Sequence, residues 1–251
     1  MAVNPDEWLA GVVAQRIAWS ERLISLKIAA ELPMFRAGQF TRIGLDIGGE
    51  RVARPYSFVN APHESLVEIY FTRVAEGPLS PRLAALEAGA SLWLHRRASG
   101  LMTLDDIPPA RDLWLLSTGT GLGPFVSILK TREPWQRFER IVLAHGVRSS
   151  QELTHRETIN EVQARHPGQL VYAPYTSREV AATALHGRIP DSIADGRLEA
   201  YAGLNIAPDT SHVMLCGNAG MIADATRLLE ERGLRRHRRR EPGQITMEKY
   251  H

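Results

Sequence analysis

Short runs rich in apolar residues follow one another over roughly the first 100 positions, separated by polar turn segments such as "DIGGE" and "APHES", and this pattern predicts β-strands. Six such runs are rich in β-branched and aromatic residues: "GVVAQRIAW", "LISLKIAA", "FTRIGLDI", "ARPYSFVNA", "LVEIYFTRVA" and "SLWLHRRA". Before the last run, "GPLSPRLAALEAGA" predicts a helix with Ser80 as N-cap, Pro81 at the first helical position and Gly89 at its end. Short sequential strands of this kind are typical of an antiparallel barrel or sandwich.

The pattern changes after "LDDIPPARD", residues 104–112, where acidic residues and paired prolines indicate a domain junction. Beyond it, the apolar strands "LWLLST", "RIVLAHGV", "LVYAPYT" and "HVMLCG" alternate with the helical segments "GPFVSILKT", "HRETINEVQARH", "GRIPDSIADGRL" and "MIADATRLLEERG". This alternation predicts parallel βα units, in which ligands bind beyond the carboxyl ends of the strands. We therefore expect two domains, residues 1–106 and 111–251.

Composition narrows the functional class. With 251 residues, 44% hydrophobic and 23% charged, the chain is expected to be a soluble protein with a core in each domain. A net charge of +2 gives no ground for a nucleic-acid or membrane partner. The single cysteine, Cys216, excludes an internal disulfide and a cysteine-ligated iron–sulfur cluster, and no metal site is predicted. The start, "MAVNPDEWLAGVVAQ", lacks the features of a secretory signal, so we expect a cytoplasmic protein.

The first βα turn, "STGTGLGPF", carries glycines at 119, 121 and 123. Such a turn exposes backbone N–H groups at a helix N-terminus, which suits a diphosphate. The spacing is G-x-G-x-G and does not meet the dinucleotide fingerprint G-x-G-x-x-G. A purely structural tight turn therefore stays an open alternative.

Arginines follow the next two strands. Arg148 stands near the place where an NAD-binding fold usually has an acidic residue for the ribose, which argues against NAD. Ser177 and Arg178 end the following strand, and Arg188 comes ten residues later. Each arginine alone could be a solubilising surface residue, but together these groups could hold a 2′-phosphate through charge-assisted hydrogen bonds.

In their order and spacing, "RPYS", "GPLSPRL", "GTGLGPF", "TSRE…GRI" and "CGNAGM" make this chain resemble the ferredoxin/flavodoxin–NADP reductases, in particular the compact bacterial type. The resemblance runs from about Val12 to the C-terminus. It implies an N-terminal six-stranded antiparallel β-barrel that binds FAD and a C-terminal α/β domain with a parallel sheet that binds NADP. It also implies an enzyme that takes hydride from NADPH onto flavin N5 and passes single electrons to ferredoxin or flavodoxin.

The resemblance assigns roles to "RPYS". Arg54 would pair with the FAD pyrophosphate, Tyr56 would stack on the isoalloxazine ring, Ser57 would hydrogen-bond toward flavin N5, and Pro55 would stiffen the strand. The further FAD contacts that it implies are Tyr70, Phe71, Thr72, Leu79, Ser80 and Thr120. The NADP contacts that it implies are Gly121, Val147, Arg148, Ser177, Arg178 and Arg188.

Cys216 would border the nicotinamide as a positioning residue, although a buried cysteine acting as a small hydrophobe is the common alternative. The chain ends in "EKYH". Tyr250 matches the aromatic residue that covers the second face of the flavin in bacterial relatives, and with Ser57 and Cys216 it completes the predicted catalytic group. His251 departs from the tryptophan that contacts the FAD adenine in one subtype, so that contact stays open. Glu248 cannot be placed beside the flavin from the sequence.

The run "RRHRRR", residues 235–240, is interpreted as a docking patch for an acidic electron carrier, with an ordinary solvated surface as the alternative. Two other functions stay open. One is a reductase of free flavin, ferric complexes or an oxygenase partner on the same two-domain plan. The other is a nucleic-acid-binding module, against which the near-neutral charge counts. We expect a monomer.

Overall fold

The computed structural model describes residues 7–105 and 107–249, whose strands form two six-stranded sheets. The strands of the first sheet are β1 (Trp8–Ala18), β2 (Leu23–Ala29), β3 (Phe40–Ile47), β4 (Glu50–Ser57), β5 (Val67–Thr72) and β6 (Ser91–His95). The strands of the second are β7 (Asp112–Thr118), β8 (Arg140–Val147), β9 (Leu170–Thr176), β10 (Leu185–His186), β11 (Ser211–Gly217) and β12 (Ile245–Lys249). The α-helices are α1 (Ser80–Ala84), α2 (Leu122–Leu129), α3 (Glu133–Arg137), α4 (Arg156–Arg165), α5 (Ile189–Ala194), α6 (Arg197–Ala202) and α7 (Ala219–Glu231).

The first sheet is an antiparallel barrel. Its strand order is β4-β3-β6-β1-β2-β5, and an antiparallel bridge between Phe58 and Ile69 joins the two end strands. Apolar side chains that alternate along the strands, such as Leu26, Ile28 and Ile43, are fully buried inside it. The predicted six-stranded antiparallel barrel is therefore confirmed.

Helix α1 differs from its prediction at both ends. Leu79 is its N-cap, while Ser80 lies inside the helix and accepts a hydrogen bond on its Oγ from the N–H of Val74 at 3.0 Å. The predicted Ser80 cap is wrong because this hydroxyl closes the loop from β5 instead. The helix also stops at Ala84, well before Gly89.

The second sheet is parallel, with the order β10-β9-β8-β7-β11-β12. The four predicted strands correspond to β7, β8, β9 and β11, and the predicted parallel α/β arrangement is confirmed. The edge strands β10 and β12 were not predicted from the sequence. The segment "GRIPDSIADGRL" forms two helices, because Gly196 adopts a φ of 79° between α5 and α6.

The two halves meet through a buried hydrogen bond and a shared apolar cluster, in which Val59 and Tyr70 of the first half lie with Phe125 of the second. Ser127 on α2 donates a hydrogen bond from its Oγ to the carbonyl oxygen of Asn60 at 2.7 Å. Arg137 on α3 donates to the carbonyl groups of Leu104 and Ile107 in the segment between the halves. Within the described residues, no helix has both the length and the apolar character that crossing a membrane requires.

Candidate active site

A cleft of about 1180 Å³ separates the barrel from the carboxyl ends of the parallel strands. Both halves of the chain line this cleft. Ligands of parallel α/β sheets bind beyond the carboxyl ends of the strands, so the cleft lies where a ligand is expected. Most of the predicted cofactor-binding residues line the cleft: Arg54, Pro55, Tyr56, Ser57, Tyr70, Phe71, Thr72, Leu79, Ser80, Thr120, Val147, Arg148, Ser177, Arg178 and Arg188.

The end of β4 forms part of the barrel wall. Arg54 is exposed and donates from Nη1 to the carbonyl oxygen of Ala53 at 2.8 Å, while Ser57 is buried. The Tyr56 ring is half-buried and lies edge-on to the Phe71 ring, with 5.6 Å between centroids and 69° between planes. Burial raises the pKa of Tyr56 to about 12, against a smaller opposing effect of the Arg54 charge. The wall therefore presents a neutral aromatic ring beside a fixed cation.

The glycine turn forms the floor of the cleft between β7 and α2. Gly119 has a φ of 53°, which favours glycine, and its carbonyl oxygen lies 3.1 Å from Nε2 of the buried His145. Gly119 and Thr120 line the cleft. Gly121 is not among the cleft-lining residues, because it packs against the backbone of Cys216, where an added Cβ would lie 2.4 Å from the carbonyl oxygen.

The predicted arginines lie on the opposite rim. Arg148, Arg178 and Arg188 are all exposed and line the cleft, and within residues 7–105 and 107–249 none of them forms an ion pair with a carboxylate at or below 4.0 Å. The Ser177 hydroxyl donates to the carbonyl oxygen of Val147 at 3.1 Å. The exposed guanidinium groups therefore carry donors that are available to an anion here.

The loop after β8 fixes the position of these arginines. The backbone N–H of Arg178 donates to the carbonyl oxygen of Arg148 at 2.9 Å. The backbone N–H of Arg148 in turn donates to Oε2 of Glu152 at 3.0 Å. The backbone segments that follow β8 and β9 are thus held together, so Arg148 and Arg178 project from neighbouring positions on the rim.

Cys216 lies one residue before the end of β11, paired in register with Ser117 and Glu248. Its side chain is fully buried and does not line the cleft, so a positioning role at a nicotinamide stays a prediction. Glu248 does line the cleft, and burial raises its pKa to about 7. The sequence could not place Glu248, because the short strand β12 that carries it was not recognised.

Asn218 was also missed. It is the N-cap of α7, and its Oδ1 accepts hydrogen bonds from the N–H groups of Gly220 at 2.9 Å and Met221 at 3.3 Å. Its own N–H donates to Oγ1 of Thr118 at 2.9 Å, which ties the end of β11 to the end of β7. An asparagine immediately before a helical pattern was the available signal. The cleft residues missed from the sequence also include Arg22, Phe40, Asp224 and Lys249.

Two predicted residues, Tyr250 and His251, lie outside the described residues. Lys249, the last described position, lines the cleft. Among the described residues no group of histidine, cysteine, aspartate and glutamate side chains could hold a metal ion.

The basic run 235–240 lies at the other end of the parallel sheet. Arg236 forms a bridge with Ile245, the first residue of β12, whereas Lys249 at the opposite end of that strand lines the cleft. The strand alone separates them by roughly 13 Å. Within the run, Arg236 pairs with Glu230 at 2.8 Å and Arg238 with Glu241 at 3.5 Å. Neither this location nor this partial neutralisation tests the interpretation of the run as a docking patch for an electron carrier, which stays a prediction.

Comparison with known proteins agrees with this geometry. Residues 115–227 match the model of the oxidoreductase NAD-binding domain family. The flavodoxin/ferredoxin–NADP reductase of Escherichia coli (strain K12) is 43% identical over 218 residues, 87% of this chain and 88% of that protein. The ferredoxin–NADP reductase of Pseudomonas aeruginosa is 33% identical over 92% of this chain and 93% of that protein. A ferredoxin NADP+ reductase from Neisseria gonorrhoeae, crystallised with FAD and NADP, superposes with a TM-score of 0.92 and 30% identity, covering 97% of this chain and 98% of that one.

Proposed function

Because this chain belongs to the flavodoxin/ferredoxin–NADP reductase family, we propose that its cleft binds FAD against the barrel and NADP(H) against the carboxyl ends of the parallel strands. The chain is an oxidoreductase that passes electrons between NADPH and ferredoxin or flavodoxin. FAD, when bound, supplies both hydride acceptance and one-electron chemistry. The protein's own contribution is binding, orientation and the placement of charge.

The flavin half of the proposal rests on β4 and β5. Tyr56 offers a neutral, half-buried ring on which a planar cofactor can stack, and Arg54 offers an exposed cation for a pyrophosphate. Ser57, buried at the end of β4, is proposed to hydrogen-bond to the ring edge. The same wall carries the other proposed FAD contacts, which are Pro55, Tyr70, Phe71, Thr72, Leu79, Ser80 and, from the floor, Thr120.

The nucleotide half of the proposal rests on three arginines on the rim of the cleft. Among the described residues, none of them forms an ion pair with a carboxylate. Exposed Arg148, Arg178 and Arg188 present donors for a 2′-phosphate, a group that NADPH has and NADH lacks. Val147 and Ser177 position the strand ends from which two of these arginines project, and Gly121 lets the floor approach β11. We therefore propose NADPH as the preferred donor.

Glu248 is proposed to hold the exchangeable proton of the site. Burial raises the pKa of its carboxyl group to about 7, so this group can both carry and release a proton at neutral pH. The roles of Cys216 as a positioning residue and of Tyr250 and His251 at the flavin stay predictions. The cytoplasmic location and the monomeric state stay predictions as well.

Carrier-dependent turnover tests this function against its nearest alternative. Purified enzyme with NADPH would be given ferredoxin, flavodoxin, free FMN or ferric citrate under anaerobic conditions. We expect kcat/KM for at least one of the two protein carriers to exceed that for the small acceptors by 10-fold or more, on the order expected for electrostatically guided association. Equal or better turnover of free flavin or ferric citrate would favour the reductase of small acceptors instead.

A further inference from the structure

The loop between β8 and α4 reaches from the parallel-sheet half onto the barrel. Its last residue, Thr154, and the N-cap of α4, His155, are both buried, with 2% and 4% of their surfaces exposed. Thr154 donates a hydrogen bond from Oγ1 to the phenolic oxygen of Tyr70 at 2.9 Å. The His155 ring lies between two barrel rings, 5.0 Å from that of Tyr70 and 4.6 Å from that of Trp19, between centroids.

His155 occupies this position at a local cost. Its φ of 55° is the only positive value for a residue other than glycine within residues 7–105 and 107–249, and such a conformation costs about 1 kcal/mol or more. Its side chain does not cap α4, and its Nε2 is buried without a hydrogen-bond partner among the described residues. Burial lowers the pKa of His155 to about 3, so the ring is neutral. The contacts of the His155 ring with Tyr70 and Trp19 are the interactions that offset this cost.

Tyr70 connects this contact to the cleft. It lies in β5, lines the cleft, and is followed by Phe71, whose ring contacts Tyr56. A shift of the Tyr70 ring would therefore displace the wall against which the flavin is proposed to bind. The Thr154 hydroxyl is the group that fixes the far end of that ring, since it donates to the phenolic oxygen.

We propose that Thr154 and His155 are positioning residues, which reach across from the nucleotide half of the enzyme and hold Tyr70, and with it the flavin-binding wall, in place. This inference rests on the proposed function, because the position of Tyr70 matters to activity only if FAD binds against β5. It predicts that the loop affects flavin binding without touching the flavin.

The test compares Thr154→Val, which keeps the shape and removes the hydroxyl, with Thr154→Ser, which keeps the hydroxyl. Tyr70→Phe removes the acceptor and serves as the second variant if Thr154→Val does not fold, and the Thr154→Val/Tyr70→Phe double variant completes a cycle. The readouts are the FAD dissociation constant from flavin fluorescence, the visible circular dichroism of bound FAD, and kcat and KM for NADPH.

We expect Thr154→Val and Tyr70→Phe each to raise the FAD dissociation constant by about 5- to 15-fold, the size of one buried hydrogen bond, and to change the flavin dichroism. The double variant should lose no more than the larger single loss, because both changes remove the same bond. Thr154→Ser should stay close to wild type. KM for NADPH should change by less than about twofold in all variants, since the arginines are untouched.

A lower melting temperature with unchanged FAD affinity and dichroism in Thr154→Val and Tyr70→Phe would show that the contact serves only the fold, and would overturn the inference. Additive losses in the double variant would also overturn it. A wild-type protein that binds no FAD would instead refute the proposed function, and the positioning role with it. His155→Asn, which tolerates the same φ but lacks the ring, should change the dichroism in the same direction as Thr154→Val.

Discussion

Gly121 and Cys216 lie so close together that a Cβ atom on Gly121 would sit 2.4 Å from the carbonyl oxygen of Cys216. The φ of Gly121 is −60°, so any residue could adopt its backbone conformation. Glycine is required at this position because the Cβ atom of any other residue would have no room beside Cys216. This close approach joins the floor of the cleft to the end of β11, beside the strand that carries Glu248.

Gly121→Ala should therefore destabilise the protein by about 2 kcal/mol or more, because backbone atoms rather than a movable side chain oppose the added methyl group. Gly168→Ala is the matched control. Gly168 has a φ of 77° and open space around its Cβ position, so this change carries only the conformational cost of about 1 kcal/mol. Urea unfolding of both variants measures the difference. A loss for Gly121→Ala no larger than that of the control would contradict the close approach.

Removal of a rim arginine should reduce discrimination between the two nicotinamide cofactors. Arg178→Ala and Arg188→Ala should each lower kcat/KM for NADPH by about 10-fold or more and leave that for NADH nearly unchanged, because a charge-assisted hydrogen bond to the 2′-phosphate is lost. Arg239→Ala, at an exposed position that does not line the cleft, is the control. If the NADPH to NADH ratio is the same in all three variants, the phosphate lies elsewhere.

Arg54→Ala should weaken FAD binding about 10- to 100-fold, since an ionised donor to a phosphate is worth more than a neutral one. Arg96→Ala, another exposed arginine of the barrel half that does not line the cleft, should have little effect. Equilibrium titration of flavin-free protein with FAD gives both constants. Equal affinity in the two variants would remove Arg54 from the proposed pyrophosphate site.

Glu248 makes a testable contribution to the pH dependence of stability. Its pKa is raised by burial from 4.5 to about 7, so between these values the folded protein keeps a proton that the unfolded chain has lost. This contribution is fully present below pH 4.5 and is lost as pH rises through about 7. The free energy of unfolding of flavin-free wild type should therefore fall by about 2.5 kcal/mol relative to Glu248→Gln between pH 5 and pH 8.

Glu241→Gln, at an exposed position, is the control for this experiment and should follow wild type. Buried histidines that also titrate are common to all three proteins, so their effect cancels in the difference. A pH dependence of Glu248→Gln that is identical to that of wild type would mean that the Glu248 carboxyl titrates near its ordinary value.

The interpretation of the basic run 235–240 as a docking patch can be tested at Arg239 and Arg240, which are both exposed. The double variant Arg239→Ala/Arg240→Ala should lower kcat/KM for ferredoxin or flavodoxin at low salt by about threefold or more and weaken its dependence on salt, because the attraction to an acidic carrier is reduced. Stopped-flow measurement of carrier reduction at several ionic strengths tests this. A kcat/KM and a salt dependence that stay at the wild-type values would make the run an ordinary solvated surface.

The sequence was sufficient where one local pattern determines the structure. Short runs rich in β-branched and aromatic residues predicted the barrel strands, and apolar runs between helical segments predicted β7, β8, β9 and β11. The arginines that follow β8 and β9 were correctly placed at one edge, because parallel strands bring their carboxyl ends together.

The sequence was insufficient where contacts between distant segments determine the structure. Strand β12 is a five-residue edge strand that pairs with β11 far from it in sequence, so the position of Glu248 could not be inferred. The Ser80 hydroxyl was assigned to the wrong partner because the loop from β5 competes with the helix end.

The most direct test of the proposed function is the visible absorption spectrum of the purified protein, followed anaerobically as NADPH or NADH is added in equal amounts. We expect a flavin spectrum that NADPH bleaches at least about 10-fold faster than NADH, through the contacts of the rim arginines with the 2′-phosphate. Bleaching at equal rates by NADPH and NADH would contradict the assignment of the rim arginines to the 2′-phosphate. A protein that shows no flavin absorption and gains none on addition of FAD would contradict the proposed function itself.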